Sequence, residues 1–390
     1  MVYEEQNTLN PHKHAARWIL MAILILALLV GCDSVDILDS SPSSEELAMV
    51  EYTPLPRDDW DVSTPQEQGL ESDLVAELYY DAAQLDTLYS VLIIKNGKLI
   101  AEKYFNKGSV NQEPLLQSAS KSYISALVWI AIEQGCLSGI DAKLVDFFPE
   151  IAGQITDPRK NQITIEEMLQ MRSGYPDEET DQAYMDALYW GVYPPLIEDF
   201  PLVCDPGTCF NYSNLTYSWL AILLSRSCEG DLRLFAQEHL FEPMDTEVGD
   251  WLKDREGNYI GSGGIHTTAR NAARFGQVYL DGGAHDGTQV ISSAWVRDSL
   301  QSYSEKTKNY SLVFKDLGYG YGWWTASVGD HDFVFAWGHG GQLIVLLEDL
   351  DMVIVTTADP FFRENSGDSW KNEKAIMNMV GRFIKTLPSE

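Results

Sequence analysis

Ser118 and Lys121 lie three positions apart in the stretch LQSASKSY (116–123), which opens an apolar segment continuing to Gln134. On a helix, residues at this spacing share a face within one turn. A serine hydroxyl becomes a nucleophile when a base removes its proton, and lysine can be that base when burial keeps it neutral. The pair therefore predicts a serine nucleophile with a lysine base at the positive end of a helix dipole. The alternative is a helix that begins in small polar residues.

Two further segments carry candidate site residues. Tyr212 and Asn214 belong to the sequence Tyr-Ser-Asn, which enters a helical pattern at 214–227. Residues 338–342 read GHGGQ and stand between two strand-like runs, where glycines would let a substrate approach the strand edge. Each segment also has a purely structural interpretation. Tyr212 could pack beneath a turn, and His339 could be hydrogen-bonded at a sheet edge.

The motifs Ser-Ala-Ser-Lys, Tyr-Ser-Asn and His-Gly-Gly, in this order, resemble the Ser-x-x-Lys, Tyr-x-Asn and Lys-Thr-Gly set of the serine β-lactamase and penicillin-binding-protein superfamily. The resemblance is closest to the β-lactamase-related branch, which contains class C-like enzymes, family VIII carboxylesterases, D-aminopeptidases and 6-aminohexanoate-dimer hydrolases. It covers about residues 58–385, nearly the whole expected mature chain. Supporting stretches lie at 63–70, 164–174, 261–276 and 319–324.

The resemblance implies a role for each motif residue. Ser118 would be the acylated nucleophile and Lys121 its proton acceptor. Tyr212 would share protons with Lys121 and deliver one to the leaving group. The backbone N–H groups of Ser118 and Gln342 would form the oxyanion hole, and Asn214 would hydrogen-bond the lysine or the substrate amide. The substrate-binding residues it implies are Asn214, His339, Gly340, Gly341 and Gln342.

His339 departs from the superfamily pattern, because it stands where β-lactamases and peptidases carry a lysine. Histidine is mostly neutral near pH 7, whereas lysine is a permanent cation. We therefore expect esters or amides rather than an obligate anionic substrate such as a penicillin. Aromatic residues that could wall the acyl pocket, or serve only as core, are Tyr184, Tyr189, Trp190 and Trp337.

These features predict a serine hydrolase that cleaves an ester or amide bond through an acyl-enzyme intermediate, without cofactor or metal. Its substrate would be a small or peptide-like molecule. Two alternatives stay open: a class C-like β-lactamase or D-alanyl-D-alanine carboxypeptidase acting on cell-wall peptides, and a non-catalytic wall-binding or sensor protein. The pairs His285-Asp286 and His331-Asp332 are interpreted as surface turns. The natural substrate and the oligomeric state stay open.

The elements that must position these residues come from both ends of the chain. Residues 90–105 form two β-rich runs around Asn96-Gly97, a strong hairpin signal, and 333–357 give three more strand-like runs with a turn at 348–351. Helical patterns lie at 118–134, 164–171, 214–227, 231–240, 267–281 and 369–386. We predict an α+β fold of the β-lactamase/transpeptidase type: an antiparallel sheet built from both chain ends and flanked by helices, with a mostly helical region inserted.

Length and charge narrow the class of protein. The chain has 390 residues, 45% of them hydrophobic and 22% charged, as expected for a globular protein. Its formal net charge of −31 would repel phosphate backbones, so nucleic acid is not an expected partner.

The N-terminal residues 1–31 predict a lipoprotein signal peptide. Lys13 and Arg17 form a basic region before an unbroken apolar run, 19–30, that ends in Leu-Val-Gly-Cys. This ending resembles the bacterial lipobox, in which the chain is cut before the cysteine, here Cys32, and the cysteine is acylated. A plain membrane anchor or an ordinary secretory signal is the alternative.

The predicted lipid anchor determines how we expect the chain to be divided and where in the cell we expect the protein. Residues 32–58 are rich in Ser, Pro, Asp and Glu and are interpreted as an acidic tether, which leaves 59–390 as the hydrolase domain. We expect the protein on the extracytoplasmic side of a bacterial cell membrane. Asp33 follows the acylated position, but the choice between inner and outer membrane stays open.

Export would place the remaining four cysteines in an oxidising compartment. Cys204 and Cys209 flank the turn sequence Asp-Pro-Gly-Thr, which predicts a disulfide between them. Cys136 and Cys228 each follow a helical run and could pair, or stay as buried thiols. Zinc is not expected at these cysteines, because no histidine lies near them at ligand spacing.

Overall fold

The computed structural model describes residues 42–228, 230–304, 313–362 and 369–389, except for the side chains of Tyr189, Trp190 and Ser369. The predicted signal peptide, Cys32, Asp33 and the first part of the tether lie outside these residues.

The second part of the predicted tether packs on the domain. The Leu55 N–H donates to the Glu102 carboxylate (2.8 Å), and the Glu102 N–H donates to the Tyr52 carbonyl (2.8 Å). The Tyr52 ring also contacts Tyr79, with ring centroids 5.6 Å apart. Residues from Pro42 onward therefore belong to the compact body of the protein.

A seven-stranded antiparallel sheet lies at the centre of the described structure. Its strands are β1 (Leu88–Lys95), β2 (Lys98–Tyr104), β5 (Lys315–Tyr319), β6 (Trp324–Val328), β7 (His331–Gly338), β8 (Gln342–Leu347) and β9 (Met352–Ala358); a separate hairpin pairs β3 (Ala284–His285) with β4 (Thr288–Gln289). The spatial order is β2-β1-β9-β8-β7-β6-β5. The two chain ends meet where β1 pairs with β9, as in the register Ile93–Ile354. The predicted sheet from both chain ends is confirmed.

The turn between β1 and β2 forms at the predicted position. Asn96 and Gly97 adopt φ values of 52° and 71°, and Lys95 pairs with Lys98 across them. Two consecutive left-handed residues give a type I′ hairpin, which matches strand twist and favours Asn-Gly.

Strands β5 and β6 were not predicted from the sequence. They enclose the aromatic and glycine-rich stretch 319–324, which has no alternation of apolar and polar residues. The pairing of β5 with β6 is also irregular between Lys315 and Gly318. Short strands of this kind form because neighbours complete their hydrogen bonds, so the local pattern is a weak guide to them.

Most of the helices lie between β2 and β5 in the chain, while two precede β1 and one follows β9. They are α1 (Ser44–Leu47), α2 (Ser72–Ala82), α3 (Ser120–Glu133), α4 (Pro149–Ala152), α5 (Ile165–Leu169), α6 (Gln182–Trp190), α7 (Tyr193–Asp199), α8 (Asn214–Ser227), α9 (Leu232–Ala236), α10 (Ala269–Leu280), α11 (Ser293–Leu300) and α12 (Ser369–Thr386). The final helix agrees with the predicted 369–386. The predicted helix 231–240 is confirmed as α9 followed without a break by a π-helical turn, Gln237–Phe241, in which the hydrogen bonds span one residue more than in an α-helix.

Helices cover both faces of the sheet. Helix α10 packs on β1, β8 and β9, while α2 and α12 pack on each other and contact β1 and β6. Every residue of β8 and β9 is buried, which explains why these strands are continuous apolar runs. Helix α3 is apolar on nearly every side because it packs between α8 and the sheet. In the described residues, no helix is long and apolar enough to span a membrane.

The interpretation of two histidine–aspartate pairs as surface turns is wrong for the histidines. His331 is buried at the start of β7, with Nδ1 3.1 Å from an Asp349 carboxylate oxygen and Nε2 3.2 Å from the Leu387 carbonyl. His285 is also buried, with Nε2 3.2 Å from an Asp245 carboxylate oxygen. Both imidazole rings are buried because their hydrogen-bond partners come from segments distant in sequence.

The predicted disulfide between Cys204 and Cys209 is present, with a Cα–Cα distance of 6.5 Å. The possible second bridge does not form, since Cys136 and Cys228 are not disulfide-bonded. Instead, both thiols contribute to the hydrophobic core.

Candidate active site

Ser118 lies in a short 3-10 turn, Gln117–Ala119, immediately before α3. This turn begins one residue before the predicted helix start, and Ser118 stays partly exposed. Gln117 adopts a left-handed φ of 51°, an uncommon conformation for a residue other than glycine. The Leu116 N–H donates to the Ile265 carbonyl (2.8 Å), so the loop before α10 braces the backbone that leads to the serine.

Lys121 is buried beneath Ser118 at the start of α3. Its Nζ lies 2.9 Å from Ser118 Oγ, 2.9 Å from Asn214 Oδ1 and 2.6 Å from the Ser262 carbonyl. Burial lowers the pKa of Lys121 to about 7, although the Glu179 and Glu178 carboxylates partly oppose this change. Near neutral pH the amine therefore exists in both protonation states, as a general base requires.

Ser120 points away from this site. Its Oγ is buried and accepts a hydrogen bond from the Ile265 N–H (3.1 Å). The hydroxyl has a structural partner on another segment, so Ser118 is the serine of this stretch that faces Lys121.

Tyr212 contacts Lys121 through its ring, whose centroid lies 4.8 Å from the lysine Nζ. The tyrosine is buried, stacked on Trp324 (5.6 Å) and packed edge-on against Tyr319 (6.1 Å). Tyr319 and Trp324 belong to β5 and β6. Two strands that the sequence did not predict therefore pack against Tyr212, a predicted catalytic residue.

Asn214, the first residue of α8, completes the Tyr-Ser-Asn motif beside Lys121. Its backbone N–H donates to Glu178 (2.8 Å), as does the Ser213 hydroxyl (2.7 Å). Burial raises the pKa of Glu178 to about 7 despite these hydrogen bonds. A buried carboxyl group thus caps the helix that presents Asn214, a function that the sequence analysis missed inside the acidic run 177–179.

The Ser262 carbonyl is a second contact that the sequence analysis missed. It belongs to the Gly-Ser-Gly-Gly stretch 261–264, which was noted only for its resemblance to the superfamily. A Cβ on Gly263 would lie 3.3 Å from the Gln117 backbone, so the glycine allows this segment to pass close beside the turn that carries Ser118. This close passage brings the carbonyl to Lys121.

His339, Gly340 and Gly341 form the turn between β7 and β8. The His339 side chain is 40% exposed, and its Nδ1 lies 2.8 Å from a carboxylate oxygen of Glu373, which α12 contributes. The pair has no net positive charge in either protonation state of the imidazole while the Glu373 carboxylate is ionised. We expected no permanent cation at position 339. Glu373, which the sequence analysis missed, makes this position less positive still.

The side chain of Gln342 is hydrogen-bonded within the sheet. Its fully buried side-chain amide donates to the Ala358 carbonyl (2.9 Å) and accepts from the Ala358 N–H (3.1 Å), which ties β8 to β9. Because this side chain is occupied, a substrate contact at Gln342 would use the main chain.

The four aromatic residues expected at the acyl pocket have different surroundings. Trp337 is buried, with its ring 5.4 Å from Trp324 and 6.0 Å from the partly exposed Trp370. Tyr184 packs on Phe200 (4.7 Å). Tyr189 and Trp190 end α6, but their side chains lie outside the described structure.

One group of metal-ligand side chains occurs in the described part of the chain: Asp245, His285 and Asp286, whose ligand atoms lie within 4.8 Å of one another. They line a cavity of about 450 Å³ together with Arg270 and Arg274. Arg274 interacts electrostatically with both aspartates, so an arginine already offsets part of their charge. We assign no metal to this cluster.

Most of the chain matches one protein family, since a profile described as Beta-lactamase matches residues 88–371. The chain belongs to the β-lactamase family. As a member of this family, the protein is a hydrolase with the β-lactamase fold and, at the level of the family, a serine hydrolase.

Individual relatives agree with this assignment. A 6-aminohexanoate-dimer hydrolase of Paenarthrobacter ureafaciens is 25% identical over 312 residues, which covers 76% of this chain and 79% of the relative. EstCE1, a hydrolase with promiscuous acyltransferase activity, has a similar fold (TM-score 0.61, 15% identity, 76% of this chain and 95% of that one). A penicillin-binding-protein homologue of Caulobacter crescentus is also similar (TM-score 0.59, 15% identity, 84% and 100%).

Proposed function

We propose that the protein cleaves an ester or amide bond through an acyl-enzyme intermediate on Ser118. The observation that carries this proposal is the buried Lys121 amine, 2.9 Å from Ser118 Oγ, with a pKa lowered to about 7. A surface lysine would stay protonated at neutral pH and could not accept the serine proton. The named activities of EstCE1 and of the 6-aminohexanoate-dimer hydrolase relative support acyl chemistry.

The proposed reaction has two steps. First, Ser118 Oγ attacks the substrate carbonyl carbon while its proton passes to the neutral Lys121 amine. The bond to the leaving group breaks as that group takes a proton through Tyr212, whose ring lies beside the lysine. Water then adds to the acyl carbon and gives a proton to Lys121; the bond to Ser118 Oγ breaks as Oγ takes that proton, which releases the acid and restores the serine hydroxyl. The backbone N–H groups of Ser118 and Gln342 would stabilise the oxyanion in both steps.

The charge of the site favours neutral esters and amides as substrates. Lysine in the third motif would attract a carboxylate, but here the Glu373 carboxylate lies against His339. Glu179, whose pKa is raised by burial, interacts electrostatically with Lys121 and His339, and its ionised carboxylate adds negative charge at the site. An obligate anionic substrate would have to overcome both carboxylates.

A covalent probe and a substrate panel test this proposal. A fluorophosphonate should label Ser118, and Ser118→Ala should abolish both labelling and hydrolysis, while Ser120→Ala should keep both. The panel contains short acyl esters, D-amino acid amides and nitrocefin; we expect turnover of the esters or amides. Labelling at Ser120, or wild-type turnover in Ser118→Ala, would contradict the mechanism. Nitrocefin turnover above that of the esters would favour a β-lactamase instead.

We further propose that Cys32 carries a lipid anchor and that the domain faces the extracytoplasmic side of a bacterial membrane. The apolar run before Leu-Val-Gly-Cys supports the anchor, and the Cys204–Cys209 disulfide is in keeping with an oxidising compartment.

The anchor is tested by detergent partitioning. The native protein should enter the detergent phase, and Cys32→Ser should either release a soluble product or accumulate with its signal uncleaved. Equal retention of the variant at the processed size would contradict acylation at Cys32.

A further inference from the structure

Glu373 is a buried carboxylate that takes no part in the proton transfers described above. It lies on α12 with 1% of its surface exposed. Its Oε1 accepts from Trp337 Nε1–H (2.7 Å), and its Oε2 accepts from the Gly340 N–H (2.7 Å) and lies 2.8 Å from His339 Nδ1. All three partners belong to the end of β7 and the turn after it. One residue near the C-terminus therefore binds the third motif at three points.

The turn that Glu373 binds, residues 338–342, is rich in glycine and lies close to the backbone before Ser118. Gly340 and Gly341 adopt left-handed φ values of 86° and 98°, and glycine loses the most conformational freedom when it is ordered. A Cβ on Gly338 would overlap the carbonyl oxygen of Leu116, two residues before the nucleophile. The turn thus lies against the backbone that carries Ser118. A small displacement of the turn would change the distance between the two proposed oxyanion donors.

We propose that Glu373 is a positioning residue that holds the 338–342 turn against the Ser118 backbone and keeps a proton on His339 Nδ1. The carboxylate has only acceptor atoms, and each partner donates an N–H to it. Because Nδ1 is engaged, His339 meets a substrate through Nε2 or its ring carbons. This inference rests on the proposed serine-hydrolase function.

Glutamine is the informative replacement because it keeps the shape but converts one oxygen into an NH₂ donor. That donor must oppose either the Trp337 indole N–H or the N–H groups of Gly340 and His339. In Glu373→Gln we expect kcat to fall by roughly 10- to 100-fold with KM within threefold, which is less than the 10²–10³ typical when an oxyanion donor is removed. The exposed Lys371, also on α12, gives the control Lys371→Ala, which should match the native enzyme.

Two measurements separate positioning from a merely structural role. Rates are normalised to the fluorophosphonate-labelled fraction, so a variant that only misfolds loses labelled sites but keeps kcat per site. In parallel, ¹⁵N NMR of histidine-labelled native protein, with His339→Gln for assignment, should show a proton on Nδ1 of His339. A bare Nδ1 in the native protein would overturn the inference without any Glu373 variant.

The outcomes also distinguish this inference from the proposed function. If the native protein is not labelled at Ser118, the proposed function fails. If it is labelled and active while Glu373→Gln keeps kcat per labelled site within twofold, the positioning role of Glu373 fails and the proposed function stands.

Discussion

The pH dependence of acylation tests whether Lys121 is the base. Burial lowers the pKa of Lys121 to about 7, from an ordinary value of 10.5. With a pKa of about 7, the neutral fraction of the amine rises from roughly one-tenth at pH 6 to roughly nine-tenths at pH 8. We therefore expect kcat/KM, which reports the free enzyme, to rise about tenfold between these pH values.

Replacing Glu179 would change the pKa of Lys121 while leaving Ser118, the proposed nucleophile, in place. After the dominant effect of burial, the Glu179 carboxylate is the largest influence on Lys121, and it favours the charged ammonium. Glu179→Gln removes that charge, so the pKa of Lys121 should fall and the rise of kcat/KM should move to lower pH. The variant should exceed the native enzyme at pH 6 and equal it at pH 8. Glu77→Gln, the same change at an exposed position on α2, should leave the profile unchanged.

The assay is hydrolysis of a neutral acyl ester from pH 5 to 9, with fluorophosphonate labelling rates measured over the same range. A neutral ester is required so that the substrate itself does not titrate. A native profile that still rises about tenfold from pH 8 to pH 9 would show that burial does not lower the pKa of Lys121 as the structure indicates. A profile that stays in place or moves to higher pH in Glu179→Gln would refute the charge interaction.

Three other predictions concern the base, the helix cap and the disulfide. Lys121→Ala should slow labelling of Ser118 by about 10²–10⁴-fold, and a loss below tenfold would argue for a different base. The pKa of Glu178 is raised by burial to about 7, so its stabilising effect should be complete below about pH 4.5 and lost as pH rises through 7. The change is roughly 3 kcal/mol, and urea unfolding of Glu178→Gln should lack it; identical pH dependence in both proteins would contradict this. Cys204→Ser should reduce the free energy of unfolding by about 2 kcal/mol, reductant should cause the same loss only in the native protein, and no effect of reductant would argue against the bridge.

Features that depend on near neighbours in the chain could be predicted from the sequence. Asn96-Gly97 forms its hairpin because two left-handed residues satisfy a two-residue turn. The final helix, Ser369–Thr386, agrees with its amphipathic period, and Cys204 meets Cys209 across a five-residue separation. In these cases the determining contacts span a few residues, so the local pattern contains the information.

The motif order predicted which segments meet, but the properties of their residues come from packing. The proposed role of Lys121 as a base depends on burial, which excludes water from its amine, and on Asn214 and Ser262, 93 and 141 residues further along the chain, which accept its hydrogen bonds. Nothing in the spacing of Ser118 and Lys121 distinguishes a buried amine from a solvated one.

The residues that support the site could not be recognised from their local sequence. Glu373 is one charged residue in an amphipathic helix, and Glu178 is one of several acids in a loop, yet both are buried against the predicted motifs. Whether a carboxylate faces solvent or caps a functional element depends on which segments fold over it. Burial of a charge is a property of the assembled structure, because only distant groups can replace the water that the charge has lost.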